Sequence, residues 1–301
     1  MRAPAAAVLG GSLVPAAEVD VAAGIRAAKG VVVHVGCGDA ALTVGFTDRD
    51  TRMVQGLCRT DAELTAANNR IVTAQLGGWV GVRRVDESAA LPYASHLADV
   101  VVADLDALGK AEPSRDELLR IAAPGGSLYT KQGTWQRIVK PMPVGVDEWT
   151  HEEYGPEGNP CSKDKIVAPS FALQWISGYQ GTDQGMENQV LRVAGGRTIF
   201  FRNTPSGSSN PVAAGSKRGG RAYFIEGRNA WNGTLLWRRA MAVTANVYAP
   251  LIATADRVYT VIDIFASHAM MRCTQPLRCR DSRARRAGKV RRYSGRWRHR
   301  Q

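Results

Sequence analysis

The 301-residue sequence holds no run of the roughly 18 apolar residues that a membrane-spanning helix needs, which excludes such a helix from it. It has five cysteines, Cys37, Cys58, Cys161, Cys273 and Cys279. None forms a CxxC pair and none has a histidine at zinc-ligand spacing, so neither a zinc module nor a disulfide framework is written into the chain. An odd, scattered set of this kind predicts thiols buried as small apolar side chains. Nor does the composition lack the means to fold. With 45% hydrophobic and 22% charged residues it is that of a globular chain, and two domains fit its length. What the body of the chain lacks is net charge. The total is +12, but residues 269–301 carry 12 Lys and Arg against a single acid, Asp281, for +11 of it. The remaining 268 residues are almost neutral, so the basicity does not describe the protein as a whole.

The first half alternates between two periods. Residues 31–35 are a β-branched run that ends in Gly36-Cys37-Gly38-Asp39, the pattern of a buried parallel strand entering a tight turn. Residues 40–46 continue as a helix, 51–57 form a second strand, and 61–76 a helix capped by Thr60 or Asp61. Strands follow at 80–85 and 99–103. A helix at 114–121 opens with Ser114 three residues before Glu117, a capping box. Pro124-Gly125-Gly126 ends that helix, and 127–131 begins the next strand. This alternation predicts an open parallel sheet with helices on both faces, whose ligands sit beyond the carboxyl ends of the strands, where Gly36–Asp39 lies. The first 15 residues are rich in small side chains, with one Arg2. They read either as the remnant of a secretory signal or as a frayed start before a helix at 16–29.

The ordered set Val31 to Asp39, Gly56-Leu57-Cys58, Val85-Asp86, Leu91-Pro92-Tyr93, Ala98 to Val102 and Arg120 to Gly126 resembles the class I S-adenosylmethionine-dependent methyltransferase domain, over about residues 20–140. The resemblance implies a Rossmann-like α/β fold and S-adenosylmethionine as cofactor. It also implies cofactor contacts from Gly36, Cys37, Gly38 and Asp39, from Cys58 at the position that holds the ribose, and from Asp86 on the adenine. The chemistry implied is in-line methyl transfer, with the sulfonium supplying the reactivity and the protein the orientation. Three residues depart from the family pattern: His34 replaces an acid near the cofactor's amino-acid end, Ala40 replaces the third glycine, and Cys58 replaces the ribose-binding acid. Asp61, three residues further on, is the nearest carboxylate, and it also reads as a helix cap. No residue stands out as a base for the methyl acceptor, so the acceptor is unread.

Beyond residue 140 the pattern changes. Five prolines punctuate 141–170, around Asp147-Glu148-Trp149-Thr150-His151. Its acids and His151 are metal-ligand types, but no further ligand is spaced to complete a site, and a docked linker with a buried Trp149 is the expectation. From 171 to 265 short β-rich runs recur, at 173–176, 190–193, 198–201, 222–225, 234–237, 248–252 and 257–262. They repeat internally. Leu173-Gln174-Trp175 matches Leu235-Leu236-Trp237, 62 residues later, and Gly195 to Phe200 matches Ala255 to Thr260, 60 later. Asn229 to Trp237 resembles the blade repeat of pyrroloquinoline-quinone (PQQ)-type β-propellers, whose tryptophan packs between blades. About one blade and the start of another are expected, short of the four or more a closed propeller needs. PQQ itself is not expected on so partial a set.

Both halves together resemble a bacterial family that fuses a methyltransferase-like domain to a PQQ-like propeller, here truncated at about residue 265. The expected division is an N-terminal segment 1–19, a methyltransferase-like domain 20–140, a Pro-rich linker 141–170, partial blades 171–265 and a disordered basic tail 266–301. Two further readings stand beside the enzyme. One is a non-catalytic scaffold that binds a protein partner through its propeller. The other binds nucleic acid through the tail, with eleven arginines for phosphates and Tyr293 and Trp297 to stack. The tail reads equally as an out-of-frame extension, which would remove nucleic acid as a partner. An active transferase implies the cytoplasm, and a signal remnant implies export.

Overall fold

The computed structural model describes residues 20–85, 90–109, 112–166, 174–175, 191–203, 217–218, 221–241, 251–260, 273–274 and 278–279. Six strands form the first sheet: β1 (Gly30–Val35), β2 (Arg52–Cys58), β3 (Val80–Arg84), β4 (Ala98–Asp104), β5 (Ala122–Gln132) and β6 (Thr134–Val139), in the order β3-β2-β1-β4-β5-β6. The first five are parallel, and β6 is antiparallel to β5. The sheet is therefore mixed, where a parallel one was expected. Residues 134–139 carry little apolar alternation, and the two-residue hairpin at Gln132–Thr134 that returns the chain leaves no strong sequence signal.

Successive valines explain the two layers. Val32, Val54, Val100 and Val102 point to one face, against Val21 and Ile25 of helix α1 (Val21–Ala27) and Ile71 of α3 (Asp61–Thr73). Val33, Val35, Leu57, Val101 and Ala103 point to the other, against Leu108 of α4 (Leu105–Leu108) and Leu118 and Ile121 of α5 (Arg115–Ile121). Strands apolar on both sides are what a sheet covered on both faces requires. Helix α3 starts with a complete capping box, Thr60 accepting from the Glu63 N–H and Glu63 reaching back. At α5 only half of the expected box forms. Ser114 accepts from the Glu117 N–H, but the Glu117 carboxylate goes to the Leu91 N–H and to Arg120. Pro124-Gly125-Gly126 does not separate helix from strand, as expected, but lies inside β5 at an irregularity in its pairing with β4. A Cβ on Gly126 would stand 2.8–3.2 Å from the carbonyl oxygens of Ala123, Asp99 and Ala98, so the bulge is closed to any side chain.

The second sheet is an antiparallel meander, β7 (Leu191–Ala194), β8 (Arg197–Asn203), β10 (Arg221–Asn229) and β11 (Leu235–Met241), in the order β11-β10-β8-β7, with the short β9 (Lys217–Arg218) on β10. A separate hairpin, β12 (Leu251–Ala253) and β13 (Val258–Thr260), packs Leu251, Ala253 and Val258 against Ala194, Ile199 and Ile225 of the meander. The 60-residue repeat falls on equivalent places, since Gly195-Gly196 turns β7 into β8 and Ala255-Asp256 turns β12 into β13. Fully buried Glu226 is held by Arg228 at 3.1 Å and Arg238 at 2.9 Å. The linker is docked. Trp149 pairs with Val193, Glu148 accepts from the Gly195 N–H at 2.6 Å, and Thr150 accepts from the Ala253 N–H at 3.0 Å. Trp149 itself is only half-buried, because it lies along the sheet edge rather than under it. Most of the tail, and the runs at 173–176 and 248–250 apart from Gln174 and Trp175, lie outside the described residues. Of 266–301, only the two-residue pair β14 (Cys273–Thr274) and β15 (Arg278–Cys279) is described. Among the described residues no helix is long and apolar enough to cross a membrane.

Candidate functional site

Strand order reverses between β1 and β4, and in sheets of this kind a crevice opens beyond the carboxyl ends of the strands at that point. The turn after β1 occupies it. Gly36 (φ +75°) and Gly38 (φ +52°) hold left-handed backbone that a side chain would strain, and Ala40 adopts it as well (φ 62°) despite its methyl group. The N–H groups of Gly36 and Cys37 both donate to the Leu57 carbonyl at 3.0 Å, which fixes the turn to the end of β2. Leu108 lies over Gly36, whereas a Cβ on Gly38 would meet open space. Gly38 thus offers bare backbone to an approaching ligand.

Side chains around the turn are largely committed to each other. Asp39 accepts from the Ala41 N–H at the start of α2 (Ala41–Gly45) and pairs with Arg70 of α3. Those two contacts hold its carboxyl below the usual range. His34 is buried beneath the turn, its Nδ1 2.8 Å from Thr43 Oγ1 and its ring edge-on to Phe46. Burial lowers its pKa to about 4, with only partial opposition from the Asp104 charge, so the imidazole is neutral at pH 7. It is a packed strand histidine and does not face the crevice as a charge. Cys58, at the ribose position, is fully buried, with its Sγ 2.8 Å from Cys37 Sγ. Asp61 points to Arg84 at 2.9 Å. Asp86 lies outside the described residues.

Sequence reasoning missed Asp104 and Lys131. They pair across the parallel register of β4 and β5 at the carboxyl end of the sheet, with Lys131 Nζ 3.0 Å from Asp104 Oδ2. Asp104 also caps α4, and its hydrogen bond raises the Lys131 pKa. The available signal was the first polar residue after the apolar run 100–103, a place that faces the crevice in any sheet of this topology. The cleft of about 400 Å³ lined by Arg49, Met53, Trp79 and Leu235 lies at the opposite, amino end of β1 and β2 and does not serve the turn.

Tested against S-adenosylmethionine, the site fits in part. The bare backbone at Gly38 suits the close approach of the cofactor's methionine end. The ribose end does not fit, because a buried thiol pointing at a second thiol offers no carboxylate to the two ribose hydroxyls. No group described around the turn is placed as a free base.

No family model matches the chain, and no curated protein resembles it in sequence. Among solved structures it is similar to the [4+2]-cyclase SpnF (24% identity, TM-score 0.33, 45% of this chain and 48% of that one). It is also similar to a SAM-dependent methyltransferase from Aquifex aeolicus (18%, 0.26, 33% and 54%). A third is the geranyl diphosphate C-methyltransferase from Streptomyces coelicolor, solved with geranyl diphosphate and S-adenosyl-L-homocysteine (18%, 0.28, 33% and 38%). The chain therefore spans roughly half the length of these structures or less. At such TM-scores the likenesses add nothing to what the strand order itself establishes.

Proposed function

We propose that this chain is a methyltransferase-like protein carrying PQQ-like propeller blades, in which the α/β unit keeps the glycine turn of an S-adenosylmethionine site and has lost its ribose clamp. The observation that carries this reading is the pairing of an open Gly38 with a closed Cys58 at the reversal point of the sheet. Two charge-assisted hydrogen bonds to a ribose contribute about 1.5–3 kcal/mol each, so their loss weakens binding by roughly 10²-fold or more. Isothermal titration with S-adenosylmethionine tests it. The expected dissociation constant is weaker than about 100 µM, and low-micromolar binding by the folded chain would overturn the loss of the clamp and restore a working transferase.

Support for the blades comes from the four-stranded meander followed by a packed hairpin and from Trp175. Its ring covers Gly233 and its Nε1 donates to the Ala230 carbonyl at 3.2 Å, the packing of one repeat's tryptophan on the next repeat's turn. A non-catalytic scaffold is the second reading, favoured by the bonds that tie the meander to the α/β unit. Asn229, Asn232 and Thr234 all donate to Asp99, and Lys29 Nζ donates to the Leu236 carbonyl at 2.9 Å. In that reading the α/β unit carries the blades for a protein partner.

A further inference from the structure

Cys37 follows β1 and Cys58 ends β2, and these are parallel neighbours in the register Val35 to Leu57. Three features turn the two thiols together. Both N–H groups at 36 and 37 are fixed on the Leu57 carbonyl. Gly56 leaves the space that the Cys37 side chain fills, since a Cβ there would stand 2.9 Å from Cys37 Sγ. Ala40 and Ala67 close the rest of the nest. The Sγ atoms are 2.8 Å apart, about 0.8 Å beyond a disulfide bond. Two thiolates on a tetrahedral zinc ion, each at ~2.3 Å, would stand about 3.8 Å apart, so the spacing suits a bond between the sulfurs better than a shared metal.

We propose that Cys37 and Cys58 form a redox-modification site, in which a hydroperoxide joins them in a disulfide that ties the carboxyl ends of β1 and β2 across the glycine turn. Cys37, 5% exposed beside the open face of Gly38, reacts first, and fully buried Cys58 second. The Cys37 sulfur, having given its proton to water, attacks the O–O bond, which breaks. The leaving oxygen departs as hydroxide or alkoxide and takes up that proton, and Cys37 becomes a sulfenic acid. Cys58 sulfur then attacks Cys37 Sγ, the S–S bond forms, the S–O bond breaks, and water leaves with the Cys58 proton. Two thiols lose two electrons and two hydrogens, and one peroxide is reduced. Burial raises both thiols above the usual thiol pKa, so the reaction is slower than at exposed Cys161. The inference stands on the geometry of the thiols and holds whether or not the chain binds S-adenosylmethionine.

The full folded chain is treated with excess hydrogen peroxide, alkylated and digested with trypsin. The expected product is peptide 30–49 joined to peptide 53–59 with the loss of two hydrogens, released by dithiothreitol. Oxidation of Cys161 with Cys37 and Cys58 still alkylated as free thiols would overturn the proposal, as would joining seen only in urea. In the full-length Cys58→Ser variant, whose fold is checked by circular dichroism, dimedone is expected on Cys37. Its absence would overturn the order of attack.

Discussion

Replacing Asp99 by alanine should separate the two halves of the molecule energetically. Its carboxylate is nearly buried and accepts four hydrogen bonds. Oδ1 takes Asn229 Nδ2 at 2.8 Å, and Oδ2 takes the Val31 N–H at 2.9 Å, Asn232 Nδ2 at 2.9 Å and Thr234 Oγ1 at 3.2 Å. One acid at the start of β4 thus caps β1 and the turn between β10 and β11 together. Burial raises its pKa, and the four donors oppose that rise without cancelling it. In Asp99→Ala the Asn232 amide keeps the Leu97 carbonyl at 2.7 Å, whereas the Val31 N–H and the Asn229 amide lose the acceptor they share. Two orphaned donors at about 1–3 kcal/mol each, with the rest of the network loosened, give an expected loss of roughly 3–5 kcal/mol. Asp99→Asn, with its oxygen at the Oδ2 place, keeps three of the bonds and turns an amide toward Asn229, for about 1–2 kcal/mol. Urea unfolding followed by tryptophan fluorescence and circular dichroism measures both. A loss below about 1 kcal/mol in Asp99→Ala would refute the reasoning, as would a cycle with Asn229→Ala that is additive within ~0.5 kcal/mol.

Two further outcomes follow from groups around the turn. His34 has a folded pKa of about 4 against an ordinary ~6.5, so it contributes stability that is present above pH ~6.5 and lost as pH falls toward 4. The loss amounts to about 3 kcal/mol. His34→Val should flatten the pH dependence of unfolding in that window, and an unchanged slope would count against a buried neutral imidazole. Ala40→Gly should change stability by less than about 1 kcal/mol. Relief of the left-handed backbone, ~1–2 kcal/mol, is offset by a lost buried methyl and a freer unfolded chain. A shift beyond ~2 kcal/mol in urea unfolding, in either direction, would show that one term had been misjudged.

What the sequence determined by itself was the alternation of elements and the position of the turn. Runs such as 31–35 and 99–103 are apolar at every residue, which only a sheet covered on both faces tolerates, and glycines at 36 and 38 follow from the left-handed backbone there. Local rules also placed the Thr60 cap, because a cap is a contact three residues long. They failed where the deciding contact was distant. The strand at 134–139 exists because β5 offers it an edge, and Pro124-Gly125-Gly126 stays in β5 because β4 carbonyls crowd Gly126. His34, Cys58 and Asp99 show the same limit at the site. Their residue types were plain, but whether each faced the crevice, another thiol or a second sheet depended on partners 9, 21 and more than 100 residues away. Only the tertiary structure decides that, because burial and hydrogen-bond partnership are properties of the packed chain and not of its neighbours in sequence.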